Sequence, residues 1–218
     1  MTSSSLKKSA NDEDSYFSIS QEVHQSIKVK GSRFLGYAAP VQNKKDALSY
    51  LDCLSKKYYD ATHVCYAYQY GLLTGAVSRY SDAGEPSGTA GLPIMEAITG
   101  RHLTFVICVV VRYFGGTKLG TGGLSRAYSD CASMTLDGAK PVRHYIEESL
   151  VICHPYDLTG QVMHVLSQPG VAIVESNYDE GVQVKIRVRK SKLSIIKKML
   201  VDQTSGQVSF FEGETTWA

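Results

Sequence analysis

One continuous apolar run, residues 105–111 (Phe-Val-Ile-Cys-Val-Val-Val), most restricts how this chain can fold. A run of this length, rich in β-branched residues, predicts a central strand that is buried. Two glycine-rich loops flank it, an acidic one at residues 82–91 and a basic one at residues 112–126. Nine of the chain's 19 glycines lie between Gly84 and Gly123. Because glycine lets the backbone approach a ligand closely, this arrangement is typical of a binding site.

The two loops also resemble the signature of the IMPACT/YigZ family. The matching segments are D-A-G-E-P-S-G-T-A-G, from Asp82, and V-V-V-R-Y-F-G-G-T-K-L-G-T-G-G-L-S-R-A-Y, from Val109. The resemblance is strong over residues 16–141 and weaker beyond them. It implies an α+β protein of two domains. The first would be a two-layer α/β domain of the ribosomal-protein or elongation-factor type, and the second a small domain similar to one in elongation factor G.

The same resemblance implies a cytoplasmic protein linked to translation control. Eukaryotic members of the family restrain a kinase that phosphorylates a translation initiation factor, by competing for the scaffold that activates this kinase. Bacterial members have no settled biochemical activity. The resemblance therefore implies a regulatory protein and does not by itself name its ligand.

Charge and cysteine content exclude several classes of protein. The formal net charge is +2, and it is divided unevenly, with 16 basic against 12 acidic residues in 1–144 and 7 against 9 in 145–218. A mildly basic first part favours anion binding there. None of the five cysteines lies in a C-x-x-C pair, which indicates reduced core residues rather than disulfides or a zinc site. No apolar run approaches the roughly 18 residues of a membrane span, so no membrane partner is expected. No metal or cofactor is expected either, because the sequence has no spacing of ligands that would support a metal site.

Three segments are predicted along the chain. Residues 1–14 lack the apolar stretch of a signal peptide and are predicted to be a disordered tail. Residues 15–142 would form the IMPACT-type N-terminal domain with both glycine loops, and residues 146–218 the C-terminal domain. The boundary follows Pro141, in the charged segment 143–148. The C-terminal patterns follow the order βαββαβ, which is typical of a ferredoxin-like domain.

Periodicity predicts the elements around the two loops. Asn43 is expected to cap a helix together with Asp46. The apolar stripe of that helix would be Ala47, Leu48, Leu51 and Leu54. Residues 63–70 alternate as a strand with one face of tyrosines. Two more helices are expected at residues 93–99 and 119–138, each beginning beside one of the glycine loops.

The basic loop is a candidate anion site. Arg112, Lys118 and Arg126 supply charge near the start of a predicted helix, whose first N–H groups attract anions. Backbone access would come from Gly115, Gly116, Gly120, Gly122 and Gly123. Phosphate of a nucleotide or of RNA is the natural ligand, although the Walker sequence G-x-x-x-x-G-K-[S/T] is absent. The alternative is a structural turn whose arginine pairs with Asp82 or Glu85.

The acidic loop also has alternative roles. Its polar residues are Asp82, Glu85, Ser87 and Thr89. Two carboxylates with hydroxyls can hold magnesium or act as acid and base, but the same groups can cap the helix after the loop or orient the basic residues of the other loop. We favour capping and pairing, because Pro86 fixes one turn of this loop. A nucleophilic Ser87 would need a base, and no histidine has a spacing that supplies one. No catalytic residue and no metal ligand is therefore assigned.

Two further surfaces are candidates for nucleic-acid contact. The aromatic residues of the first domain could stack bases on an open sheet, or at least half of them could be core. These residues are Tyr66, Tyr68, Tyr70, Tyr113 and Phe114. In the second domain, one strand face would project Gln183, Lys185, Arg187 and Arg189. That face could meet RNA or an acidic protein, and a solvated face is the alternative.

These patterns favour a non-catalytic binding protein of the translation machinery. The partner held at the basic loop would be RNA, a ribosomal component or a protein of translation control. The rival interpretation is an enzyme, a hydrolase or transferase that acts on a phosphorylated small molecule through Asp82 or Glu85 in the same cleft. A third interpretation is a pure protein adaptor, as the eukaryotic relatives suggest.

Overall fold

The computed structural model describes residues 14–72 and 75–217 of the 218-residue chain. These residues form two compact units, Tyr16–Arg143 and a C-terminal unit of residues 144–217 to which residues 14 and 15 also belong. The predicted tail, residues 1–14, lies outside the described residues except for Asp14. That residue is buried, and its carboxylate accepts a hydrogen bond from the Ser191 backbone N–H at 3.2 Å.

The N-terminal unit is built on a five-stranded antiparallel sheet. Its elements in chain order are β1 (Ser15–Ile19), β2 (Val23–Val29), β3 (Ser32–Pro40), α1 (Lys44–Lys57), β4 (His63–Tyr70), β5 (Val77–Ser81), α2 (Gly91–Thr99), β6 (Val106–Tyr113) and α3 (Gly120–Asp137). The strand order in the sheet is β2-β3-β6-β4-β5. The apolar run therefore forms β6, the central strand, as predicted, and it pairs with β3 and β4.

Helices cover both faces of β6, which explains why its sequence is apolar without interruption. On one face, Val106, Cys108 and Val110 pack with buried residues of α2 and α3. On the other face, Ile107 and Val109 pack with α1 and with the tyrosines of β4. The unit thus has a helical layer on each side of its sheet, one layer more than the two-layer arrangement that the resemblance implied.

Helix α1 begins as predicted, but its apolar stripe differs at one residue. The Asn43 side chain accepts a hydrogen bond from the Asp46 backbone N–H at 3.1 Å, which confirms the cap. The prediction was wrong for Leu48, which is 40% exposed. Because Leu48 lies about 100° around the helix from the buried Ala47, it turns away from the sheet. Tyr50 packs against the sheet instead.

The C-terminal unit has the predicted βαββαβ order. Its elements are β7 (Pro141–His154), α4 (Thr159–Leu166), β8 (Val171–Tyr178), β9 (Val182–Arg189), α5 (Lys190–Gln203) and β10 (Ser209–Trp217). Neighbouring strands are antiparallel in the order β10-β7-β9-β8, which confirms a ferredoxin-like domain within an α+β protein. The apolar side of β9 is buried against α4 and α5.

Strand β7 runs through the predicted boundary. It begins at Pro141 and continues through the charged segment 143–148 to His154. A proline is tolerated at the first residue of a strand, and the charged side chains that follow it alternate along an ordinary strand. None of the described helices combines the length and apolar character that a membrane crossing requires.

Candidate functional site

The acidic loop is organised by Asp82, which binds three backbone N–H groups. One carboxylate oxygen accepts from Ala90 at 2.9 Å and Gly91 at 2.8 Å, and the other accepts from Gly88 at 2.9 Å. Burial opposes ionisation of Asp82, but these donors outweigh it and hold its pKa below the usual value. Asp82 therefore satisfies the first N–H groups of α2, whose own N-cap, Ala90, provides no side-chain cap.

Glu85 is the centre of a buried polar cluster. It is 8% exposed, and its Oε1 lies 2.6 Å from Arg112 Nη1 and accepts a hydrogen bond from the Tyr128 hydroxyl at 2.8 Å. His63 Nε2 lies 3.9 Å from the same oxygen. One carboxylate thus ties together the acidic loop, β6, α3 and β4. We refer to Glu85, Arg112, Tyr128 and His63, with Cys65, as the buried cluster.

Arg112 is held within this cluster and not at the surface. It is 5% exposed, and its Nη2 donates to Ser32 Oγ at 3.4 Å. Its guanidinium carbon lies 5.5 Å from the ring centroid of Phe34 and 5.6 Å from that of Phe114. The sequence left open whether this arginine binds an anion or pairs with the acidic loop. Its partner is Glu85, while the Asp82 carboxylate is occupied by backbone donors.

Cys65 and Tyr128 complete the cluster as protonated donors. Burial raises the pKa of the Cys65 thiol to about 12, and its Sγ donates to the Asp82 backbone carbonyl at 3.0 Å. Burial also raises the pKa of the Tyr128 hydroxyl. Both groups stay neutral at physiological pH, so the contacts around Glu85 are those of a packed core. In the acidic loop, the Thr89 hydroxyl donates to the Pro86 carbonyl at 2.7 Å, and Ser87 is exposed.

Residues 115–123 of the basic loop, which we call the glycine loop, begin with a close backbone contact. A Cβ placed on Gly115 would lie 1.8 Å from the carbonyl carbon of Gly31, which is the turn between β2 and β3. The Gly115 N–H donates to Ser32 Oγ at 3.1 Å. Gly115 is therefore needed for packing, because any larger residue would displace the β2–β3 turn, and it does not offer its backbone to a ligand.

The rest of the glycine loop is open. Gly116 and Gly120 have φ of +83° and +72°, and a Cβ on either residue, or on Gly122, would meet no atom within 4 Å. Gly123 is more crowded, since a Cβ there would lie 3.3 Å from the Leu119 Cβ. Leu119 provides no side-chain cap for α3. The first N–H groups of α3 therefore have no side-chain cap, and they lie beside the open backbone of Gly116, Gly120 and Gly122.

Four exposed cations lie on or beside this loop. Lys118 and Arg126 were predicted from the sequence, and Lys30 and Arg33 come from the β2–β3 hairpin. Lys30 is next to Gly31, whose backbone contacts Gly115. Among the described residues, neither Lys30, Lys118 nor Arg126 has an ion-pair or hydrogen-bond partner. We refer to these four side chains, with Gly116, Gly120 and Gly122, as the basic surface.

Sequence reasoning missed Lys30 and Arg33 because they are about 85 residues from the glycine loop. Only the sheet register brings them there, since Arg33 lies opposite Tyr113 in the β3–β6 ladder. The Arg33 guanidinium also lies over the Tyr113 ring, 5.0 Å from its centroid. The one available signal was the turn sequence Lys30-Gly31-Ser32, which marks a hairpin tip with basic neighbours.

The aromatic residues do not form an open stacking platform. Tyr68 is buried, and Tyr66, Tyr70 and Tyr113 are partly buried in the layer that α1 covers. The rings of Tyr66 and Tyr68 stack with their centroids 6.1 Å apart. Phe114 differs from the others because it is 48% exposed and directly precedes the glycine loop. The interpretation that most of these rings are core therefore fits their burial.

The polar face of β9 is partly neutralised by its neighbours. Arg187 Nε lies 3.3 Å from a Glu147 carboxylate oxygen. Arg189 lies over the Tyr145 ring, and Lys185 stands opposite Glu175 in the β8–β9 ladder. Gln183 is exposed. Within the described ranges, no group of three or more His, Cys, Asp or Glu side chains is arranged to hold a metal ion.

Comparison with known proteins identifies relatives over nearly the whole chain. The Impact N-terminal domain family matches residues 30–136, and the domain of unknown function DUF1949 matches residues 154–207. The IMPACT family member YvyE of Bacillus subtilis is 31% identical over 203 residues, which are 93% of this chain and 93% of that protein. YigZ of Escherichia coli, also an IMPACT family member, is 30% identical over 83% of this chain and 89% of its own length.

A solved structure has the same fold. It is described as the crystal structure of an hypothetical protein, and it superposes with a TM-score of 0.67 at 27% identity. The match covers 92% of this chain and 98% of the other. The two-part organisation is therefore shared along nearly the full length of both chains.

Proposed function

Because this chain belongs to the IMPACT family, as its two loops indicated, we propose that it is a cytoplasmic, non-catalytic regulator of translation whose basic surface binds RNA. The single observation that carries this proposal is that the basic surface presents cations with no acidic partner. Lys30, Lys118 and Arg126 are exposed and unpaired among the described residues. An RNA backbone supplies the negative charge that these side chains lack.

The backbone of the basic surface suits phosphate as well. Gly116, Gly120 and Gly122 leave space where side chains would otherwise stand. The uncapped start of α3 adds N–H groups and the positive end of the helix dipole. Phe114, half exposed at the start of the loop, provides a ring on which one base can stack. Together these groups favour contact with the backbone and bases of a single strand rather than with a duplex.

The experiment is a salt series of RNA binding. Labelled single-stranded and structured RNA are titrated with wild-type protein and with the double variant Lys118→Ala/Arg126→Ala. The control is Lys44→Ala/Lys45→Ala, which removes the same charge from the exposed start of α1, on the other side of the sheet. We expect affinity to fall steeply with salt, and the salt slope to decrease by about 2 in the test variant only.

Two results would overturn this proposal. Wild-type protein that fails to bind either RNA at low salt excludes RNA as the partner. Equal loss of binding in both double variants shows general attraction to a basic protein rather than a site. In either case the basic surface would be assigned to a protein partner of translation control, in line with the eukaryotic relatives.

A further inference from the structure

The turn between β2 and β3 holds a lysine in a backbone conformation that lysine rarely adopts. Val29 pairs with Ser32 in the β2–β3 ladder, so Lys30 and Gly31 are the two central residues of the turn. Their φ angles are +44° and +84°. Two positive φ angles are typical of a type I′ turn, in which asparagine followed by glycine is strongly preferred. Lysine at the first position is strained, because its Cβ crowds the following carbonyl oxygen.

Lys30 differs from the other strained residues in its charge. The described non-glycine residues with positive φ are Lys30, Ala83, His102, Phe105 and Ser205. His102 and Ser205 follow α2 and α5, where a left-handed residue commonly ends a helix. Ala83 and Phe105 have uncharged side chains. Only Lys30 combines a strained backbone with a permanent charge, and the turn would close better with asparagine, so the fold does not require lysine there.

The tip of this hairpin is fixed against the start of the glycine loop. A Cβ on Gly31 would lie 2.6 Å from the Gly115 carbonyl oxygen, so the two backbones are in direct contact. Ser32 is buried, and its Oγ accepts hydrogen bonds from the Gly115 N–H at 3.1 Å and from Arg112 Nη2 at 3.4 Å. The Lys30 backbone is therefore held beside the glycine loop before any ligand binds, which reduces the entropy that binding must overcome.

No contact within the fold accounts for the Lys30 side chain. It is exposed, and among the described residues it has neither an ion pair nor a hydrogen bond. Lysines also protect exposed sheet edges from pairing with other chains, but Lys28 already provides such a charge on the edge strand β2. A strained backbone position beside a proposed binding surface points to a functional role for the residue that occupies it.

We propose that Lys30 binds a phosphate group of the RNA, next to the phosphate at the glycine loop, although lysine strains the turn. The bound strand then runs from the glycine loop to the hairpin tip. This inference rests on the proposed function, and it adds a contact that lies outside both signature loops. Stability and binding thus favour different residues at position 30.

The variant Lys30→Asn separates these two effects. Asparagine before Gly31 is the preferred pair for this turn, so the urea midpoint of the N-terminal unit should rise. Loss of one phosphate contact should weaken the binding of single-stranded RNA and reduce its salt slope by about 1. Lys30→Arg keeps the charge and the strain, so it should retain the wild-type midpoint and salt slope.

Two control variants each match one half of this change. Ala83→Asn places asparagine before Gly84, and these two residues also have positive φ, +45° and +87°. It should raise the urea midpoint and leave RNA binding unchanged. Lys45→Asn removes one exposed charge from the start of α1, so it should leave the salt slope unchanged.

The same titrations distinguish failure of this inference from failure of RNA binding itself. Wild-type protein that does not bind RNA at low salt would overturn both. Wild-type binding that weakens with salt, together with an unchanged slope in Lys30→Asn, would overturn only the role of Lys30. A urea midpoint of Lys30→Asn that is no higher than that of the wild type would show that lysine does not strain the turn, and this result would also overturn the inference.

Discussion

In the acidic loop, the N–H groups of Gly88 and Gly91 both donate to Asp82, whereas in the glycine loop Gly116, Gly120 and Gly122 face open space. Both loops are rich in glycine, and they flank the same buried strand. Their difference shows that glycine serves two purposes within one signature. In the first loop it lets the backbone close around a carboxylate, and in the second it leaves room for a ligand.

The charged side chains of the two loops also fall into a buried, paired group and an exposed group. Glu85 and Arg112 neutralise each other inside the buried cluster, while Lys118 and Arg126 stay exposed. A signature arginine is thus structural when it lies on the strand, and available when it lies beyond the loop. This comparison can be tested by substitutions that should affect stability in one loop and binding in the other.

The largest effect is expected from Arg112→Met. This substitution leaves the Glu85 carboxylate buried beside Tyr128 without its cation, and breaking such a pair costs about 3–5 kcal/mol. The free energy of unfolding of the N-terminal unit, followed by its amide resonances in urea, measures the loss. The control Arg126→Met should change it by no more than about 0.5 kcal/mol. A loss of similar size in both variants would contradict the division into buried and exposed arginines.

The next effect compares two glycines of one loop. Gly115→Ala should destabilise the N-terminal unit by about 1–3 kcal/mol, because the new methyl group would overlap the backbone of Gly31. Gly122→Ala should be neutral or stabilising by up to about 1 kcal/mol, because alanine favours the helix and the site is open. Urea midpoints of the two variants test this difference. Equal destabilisation would show that the whole loop is packed.

A smaller, pH-dependent effect is expected at Asp82. Its pKa is lower in the folded protein, so its stabilising contribution is complete above the unfolded pKa of about 3.9 and is lost as pH falls through the folded value. Asp82→Asn should therefore cost about 2 kcal/mol near neutral pH and less below about pH 4. Asp52→Asn, at an exposed pair, is the control. A cost that does not depend on pH would contradict the role of the Asp82 charge.

Local patterns predicted much of this fold. The run at β6, the Asn43 cap and the alternation along β9 each depend on neighbours in sequence, and each appears where it was expected. Leu48 shows the limit of such patterns, because an apolar stripe does not specify how wide a face the sheet will cover. For the same reason, the apolar stripe of α1 did not reveal that this helix covers the second face of the sheet.

The candidate site was less predictable, because its contacts depend on the register of the sheet. Arg112 lies opposite Phe34 on β3 and opposite His63 on β4. That register places Arg112 beside Glu85 and brings the β2–β3 turn, with Lys30, to the glycine loop. Neither relation can be read from spacing along the chain.

The most direct test of the account follows backbone amides while single-stranded RNA is added to the full-length protein. The account predicts concentration-dependent shifts at Gly116, Gly120 and Gly122, which are open. The amides of Gly88 and Gly91 should stay in place, because Asp82 holds them. Shifts at Gly88 and Gly91 without shifts in the glycine loop would contradict the account, and so would the absence of any shift at low salt.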